Sequence, residues 1–161
     1  MIDGGLRKTF RERLRSGWHW QSVETGGTGL GIPDSNFCVG GVEGWVEYKR
    51  TEAWAVDLSP EQIGWHLHRN RVGGRTFIAV RRQHSGGPRK GPAVDELWLV
   101  RGSWAGRLGQ EGLPQTEADA LVPSWIAGRW GGGPARWDWD TIGGIISLGR
   151  HTKKRVHRNP D

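Results

Sequence analysis

The stretch from Gly31 to Lys49 constrains this chain more than any other. Pro33-Asp34 marks a turn, Phe37 to Val39 reads as a short strand, and the paired glycines Gly40-Gly41 mark a tight hairpin that returns through Gly44 to Lys49. Residues two apart on a strand share a face. Glu47 and Lys49 therefore point the same way, and the hairpin brings both of them towards Asp34.

Those residue types suit a phosphodiester substrate. Two carboxylates, Asp34 and Glu47, can hold a hard divalent cation, which neutralises charge growing on phosphate oxygens and lowers the pKa of a bound water. Lys49 would orient that water or stabilise the developing charge, and the backbone carbonyl of Tyr48 is placed to complete the metal shell. The same pattern also describes an ordinary hairpin with Glu and Lys alternating on its solvated face. Spacing alone leaves both readings open.

Pro33-Asp34 followed by Glu47-Tyr48-Lys49 resembles the signature of the PD-(D/E)XK nuclease superfamily, and the surrounding residues resemble its phage-type and virus-type members. A second block, Leu58-Ser59-Pro60-Glu61-Gln62-Ile63 to Gly73-Gly74-Arg75-Thr76-Phe77-Ile78-Ala79-Val80, is similar to the helix and strand that follow the active site in Holliday-junction resolvases of the RecU-like and archaeal kinds and in virus-type replication-repair nucleases. The resemblance implies a restriction-endonuclease-like fold with Asp34 and Glu47 as metal ligands, Lys49 as catalytic lysine and Gln62 beside the site. It also implies a further acid from the first helix or the strand before the Pro-Asp. Glu12 and Glu24 are the candidates, with Glu24 first because it lies closer to Asp34 in sequence; an i,i+4 partnership with Lys8 is the other reading of Glu12.

A polyanionic partner fits the charge: twenty-three Lys and Arg stand against seventeen Asp and Glu, for a net charge of +6 and a pI near 10.2. Eleven tryptophans exceed ordinary usage, so some belong to the core while others are free to stack on bases. The one cysteine, Cys38, excludes a disulfide framework and a cysteine-based zinc site, and His66 and His68 on a helix face different ways. No apolar segment is long enough to span a bilayer and no signal-peptide pattern opens the chain, which points to the cytoplasm, that of the host cell if a phage encodes the protein.

In chain order, Leu6, Phe10 and Leu14 give a helix over Leu6 to Arg15, and Trp18 to Glu24 reads as a strand. The glycine-rich loop Thr25 to Gly31 lets backbone approach a ligand but lacks a Walker A ending. Ser59 is an N-cap, Pro60 the first helical residue and Gln62 the capping-box partner, so Gln62 has a local role to set beside the catalytic one. That helix runs to about Asn70, and Thr76 to Arg81 is a strand reached by a crossover. Arg82 to Ala93 reads as a basic loop and Glu96 to Val100 as a strand. Leu113 to Arg129 reads as one or two short helices, and Asp140 to Leu148 as a last helix.

The expectation is a single α/β domain over 1–161, a mixed sheet flanked by helices, with a core over about 6–100 and a helical, basic extension over 101–161. Its expected activity is Mg²⁺-dependent endonucleolytic cleavage, with Mn²⁺ as substitute, of branched double-stranded DNA such as Holliday junctions. A homodimer would place two sites for paired cuts. Arg50, Arg82, Arg89, Lys90, Lys153 and Lys154 are the expected DNA contacts. A general or flap-type repair nuclease and a non-catalytic DNA-binding module of the same fold are the alternatives.

Overall fold

Hairpin grammar decides the first half of the sheet. In a computed structural model that describes residues 2–24, 29–118 and 120–148, Gly40 and Gly41 adopt φ of 54° and 78° and join β2 (Ser35–Val39) to β3 (Val42–Thr51). Positive φ at both positions matches the twist of a two-residue hairpin, and glycine reaches it without steric cost. β1 (Trp18–Ser22) pairs antiparallel with β2 on the outer side.

The next connection has different physics. β3 and β4 (Thr76–His84) run parallel, so the chain must cross between them, and α2 (Pro60–Arg71) makes the crossing. Ser59 caps α2 with the full reciprocal pair: Ser59 Oγ accepts the Gln62 N–H and Gln62 Oε1 accepts the Ser59 N–H. β5 (Val94–Arg101) and β6 (Ile126–Trp130) follow antiparallel, so the six strands lie in chain order with β3–β4 as the parallel pair.

Helices cover both faces. On one face α1 (Leu6–Arg13) and α4 (Trp139–Ser147) bury Leu6, Phe10, Ile142 and Ile146 against Phe37, Val46, Tyr48 and Phe77. On the other, α2 and α3 (Ala105–Glu111) cover Ile78, Val80, Trp98 and Val100. Alternation along β3 follows: Val46 and Tyr48 face the first layer, and Glu47 and Lys49 face α2. Among the described residues, no helix is long and apolar enough to cross a membrane.

The α/β mixed sheet flanked by helices is as the sequence indicates, while several element readings need correction. α1 ends at Arg13 and β1 at Ser22, two residues before Glu24 in the latter case. Arg82 to His84 belong to β4 instead of opening a loop, because Arg82 stands opposite Glu96 in the ladder and pairs with it. Within Leu113 to Arg129 the regular element is β6, held by Arg129 reaching Glu96, and the helix lies earlier, at α3. The core also continues past residue 100: Leu108, Leu113, Trp125, Trp137, Ile142 and Ile146 are buried.

Candidate active site

Asp34 precedes β2 at the point where the β2–β3 ladder stops, so the facing edge of β3 has a free amide. The Tyr48 N–H donates to Asp34 Oδ2 at 2.9 Å, and Val23 N–H donates to the Asp34 carbonyl at 2.9 Å. Asp34 is thereby fixed against the strand that carries Glu47. Its second oxygen, Oδ1, lies 3.4 Å from Arg7 Nη2 on α1.

Glu47 is buried, at 3% exposure. Its Oε1 accepts a hydrogen bond from Gln62 Nε2 at 2.9 Å and lies 3.7 Å from Lys49 Nζ. Its Oε2 is buried and no donor among the described residues reaches it, while the carboxyl's own proton, when bound, is shared with the Asp34 side chain. Burial, and then the negative charge of Asp34, push its carboxyl up to about 8, against a smaller opposing effect of Lys49. At neutral pH Glu47 therefore keeps its proton most of the time.

Gln62 both caps its helix and lies beside the acids. Its Oε1 accepts from Ser59 N–H and from Lys49 Nζ, each at 3.0 Å, while its Nε2 donates to Glu47. One amide thus ties the start of α2 to both functional groups of β3. The loop before Asp34 is held to the same helix: Gly31 has φ of 83°, and a Cβ there would collide with the Glu61 carbonyl. Residues 25–28 of the Thr25 to Gly31 loop, expected to let backbone approach a ligand, lie outside the described residues.

Behind Lys49, His66 is fully buried, with Nδ1 at 2.8 Å from Thr76 Oγ1. Burial, assisted by the Lys49 charge, lowers its pKa to about 4, so the imidazole is neutral.

The remaining expected residues divide clearly. Glu24 is exposed and reaches the site only through Arg7, whose Nη1 lies 3.9 Å away. Glu12 is not brought to the site; it pairs with Lys8 at 3.8 Å on the outer side of α1, the i,i+4 geometry of adjacent helix turns. Tyr48 supplies its N–H to Asp34 and buries its ring against Phe10. Arg50 and Lys90 both hold Glu52, at 3.3 and 3.6 Å, and Arg89 is exposed beside them. The Arg50 hydrogen bond, then the Lys90 charge, hold Glu52 below its ordinary pKa.

Arg82 is a correction to the expected DNA contacts. It is 8% exposed, bonded to Glu96 and the Ala53 carbonyl, and covered by Trp54 at 3.8 Å from the ring centroid, so its charge is satisfied inside the protein. Lys153 and Lys154 lie outside the described residues.

Arg7 is the site residue that sequence reasoning missed. Five basic residues surround the apolar stripe of the first helix, and periodicity does not tell which one turns inward; adjacency to buried Leu6 is the one signal.

Among the described residues no group of three or more His, Cys, Asp or Glu side chains converges as a metal site. The side-chain donor set is the pair Asp34 and Glu47. Hard carboxylate oxygens fit a hard divalent cation, and the partnerless Glu47 Oε2 is an atom such a cation would satisfy. No protein-family model matches the sequence, and no curated protein matches it.

Proposed function

We propose that this protein is a divalent-metal-dependent DNA endonuclease of the PD-(D/E)XK type that acts as a homodimer on branched DNA, Holliday junctions above all. The observation carrying the proposal is a buried acid, Glu47, that shares its proton with Asp34, has one oxygen that no donor among the described residues reaches, and has Lys49 alongside. A fold that needed Glu47 only for stability would supply it with a full set of donors. Mg²⁺, or Mn²⁺ in its place, would neutralise charge on the phosphate and acidify a water.

The chain's own groups then have distinct parts. Asp34 and Glu47 would hold the cation, Glu47 giving up its proton as the site fills. Lys49, kept in place by the Gln62 carbonyl oxygen at 3.0 Å, would meet charge developing on the cleaved phosphate. Arg7, 3.4 Å from Asp34 Oδ1, would be free to meet a phosphate once a cation neutralised Asp34. Gln62 is a positioning residue because it acts through Glu47 and Lys49.

Branched DNA is favoured by the likeness of the two blocks, Pro33 to Lys49 and Leu58 to Val80, to resolvases, and by the basic charge. End-labelled four-way junction, matched duplex, flap and single strand are compared in Mg²⁺, with cut sites mapped and protomer mass measured. The expected result is paired cuts symmetric about the crossover by a dimer, with duplex cut far less, and cleavage reduced at least about a hundredfold in Asp34→Asn, Glu47→Gln and Lys49→Ala. Equal rates on all substrates would leave a general repair nuclease. Binding without cleavage by wild type would leave a non-catalytic DNA-binding module.

A further inference from the structure

Trp45 lies two residues before Glu47 on the same face of β3, and Trp65 lies one helical turn beyond Gln62 on α2. Their rings meet edge to face at 5.3 Å between centroids. The Arg69 guanidinium sits over Trp65 at 4.6 Å and reaches Trp45 at 5.8 Å. Arg69 is exposed, and no carboxylate among the described residues pairs with it.

Trp45 and Arg69 form one wall of a groove of about 520 Å³ that Gln21, Asn36 and Glu43 also line, with Trp65 standing behind that wall and outside the groove. The floor is a row of ladder partners, Gln21 opposite Asn36 and Asn36 opposite Trp45. No residue of β1 or β2 belongs to the buried core on this face, so Gln21 and Asn36 line the floor, each donating its amide to a backbone carbonyl, Ser22 and Gly44 respectively. The groove therefore joins an aromatic surface, an unneutralised guanidinium and side-chain amides. Its tryptophan stands two positions from Glu47 along β3, about 6.6 Å, close to the backbone span of one or two nucleotides.

We infer that this groove is a binding site for one unstacked nucleotide next to the cleaved phosphate, its base on Trp45, which Trp65 holds in place from behind, and its phosphate on Arg69. The inference rests on the nuclease reading and deepens it: the substrate class is DNA with an unpaired nucleotide at the cut, as at a branch centre or frayed end. Aromatic rings are sequence-tolerant partners because every base has a π-face, and a guanidinium lying on an indole is already oriented for a phosphate oxygen. Glu43 lines the groove as well, at the hairpin end away from Glu47, and repels a second phosphate there. Duplex bases cannot use this site without leaving their stack.

The test measures binding in EDTA, where nothing is cut, of a fluorescein-labelled thymidine dodecamer, the same strand with abasic central residues, and a duplex dodecamer. Wild type is expected to bind the thymidine strand about tenfold more tightly than the abasic strand. Trp45→Ala, Trp65→Ala and Arg69→Ala each lose about tenfold on the thymidine strand, while Trp45→Phe and Trp65→Phe retain most of the affinity. Thermal melting of each variant separates unfolding from a weakened site, and the Phe variants keep the comparison valid if an Ala variant does not fold. Equal affinity for thymidine and abasic strands, or wild-type binding by a folded Trp45→Ala protein, overturns the site. Because EDTA removes cleavage from the readout, base-dependent binding by a protein that cuts nothing keeps this site while the nuclease reading falls. Lost base dependence in a protein that still cuts junctions does the reverse.

Discussion

Two glutamates are buried on the helix-α2 side of the same sheet, and they live in opposite chemistry. Glu96, at 4% exposure, has every acceptor occupied: Oε1 takes Arg82 Nη1 at 3.1 Å and the Trp98 indole N–H at 2.9 Å, and Oε2 takes Arg129 Nε at 2.9 Å. Indole rings then cover both guanidiniums, Trp54 over Arg82 at 3.8 Å and Trp98 over Arg129 at 4.4 Å. Glu47, at 3% exposure, has one amide donor, a lysine at 3.7 Å, a second carboxylate that shares its proton, and an oxygen that no donor among the described residues reaches. A buried acid that its own chain completes is architecture. One that the chain leaves incomplete, beside a second acid, has the electrostatics of a site made for an external cation.

The largest effect that tests this contrast comes from neutralising each acid. Glu96→Gln leaves Arg82 and Arg129 buried without a counter-charge and is expected to destabilise the fold by about 3–5 kcal/mol, read from urea unfolding. Glu47→Gln keeps the Gln62 contact and removes an unfavourable charge, so the fold should be as stable as wild type or more so above pH 8. A Glu47→Gln protein destabilised as much as Glu96→Gln would erase the distinction.

A smaller effect sharpens it through pH. Glu47 binds its proton more tightly folded than unfolded, so its contribution to stability is full below its ordinary 4.5 and is lost as pH rises through about 8. His66 has the opposite sign: its folded pKa of about 4 lies below the ordinary 6.5, so its contribution is full above 6.5 and is lost as pH falls through about 4. Of these two groups, only Glu47 contributes a slope between 6.5 and 8. Unfolding free energy should therefore decline across that window in wild type, stay flatter in Glu47→Gln, and be restored by Mg²⁺ increasingly as pH rises. A flat wild-type profile would show that Glu47 does not hold its proton.

Much of the α/β architecture was legible because its signals are local. Gly40-Gly41 specify a hairpin, Ser59-Pro60 with Gln62 specify a helix start, and the period of two along Glu47 and Lys49 puts both on one face. The Glu96 layer was not legible, since Arg82 and Arg129 acquire their meaning from cross-strand register; read in sequence, Arg82 is one more basic residue near a loop. Arg7 was missed for the same reason, its partner Asp34 being far along the chain. Trp45 and Trp65 were visible only as members of an aromatic excess until β3 and α2 brought them together.

The smallest expected effect concerns the outer surface, where Arg89 is exposed and Lys90 shares Glu52 with Arg50. Replacing Arg89 and Lys90 with Ala should leave stability unchanged and lower the dependence of log affinity for junction DNA on log salt by about one for each phosphate that is no longer neutralised. Arg82→Ala should do the reverse, unfolding the protein more readily because it breaks the Glu96 layer. An unchanged salt slope in the double variant would remove this loop from the DNA interface.

The measurement that reaches the central claim most directly is a carboxyl ¹³C NMR titration of the wild-type protein, following Glu47 with and without saturating Mg²⁺. Without Mg²⁺ the Glu47 carboxyl is expected to titrate near 8, and with Mg²⁺ it should ionise in or below the ordinary carboxylate range, while the Glu96 resonance does not respond to the cation. A Glu47 carboxyl that titrates normally, or one near 8 that Mg²⁺ leaves unmoved, would contradict the assignment of Asp34 and Glu47 as a cation site.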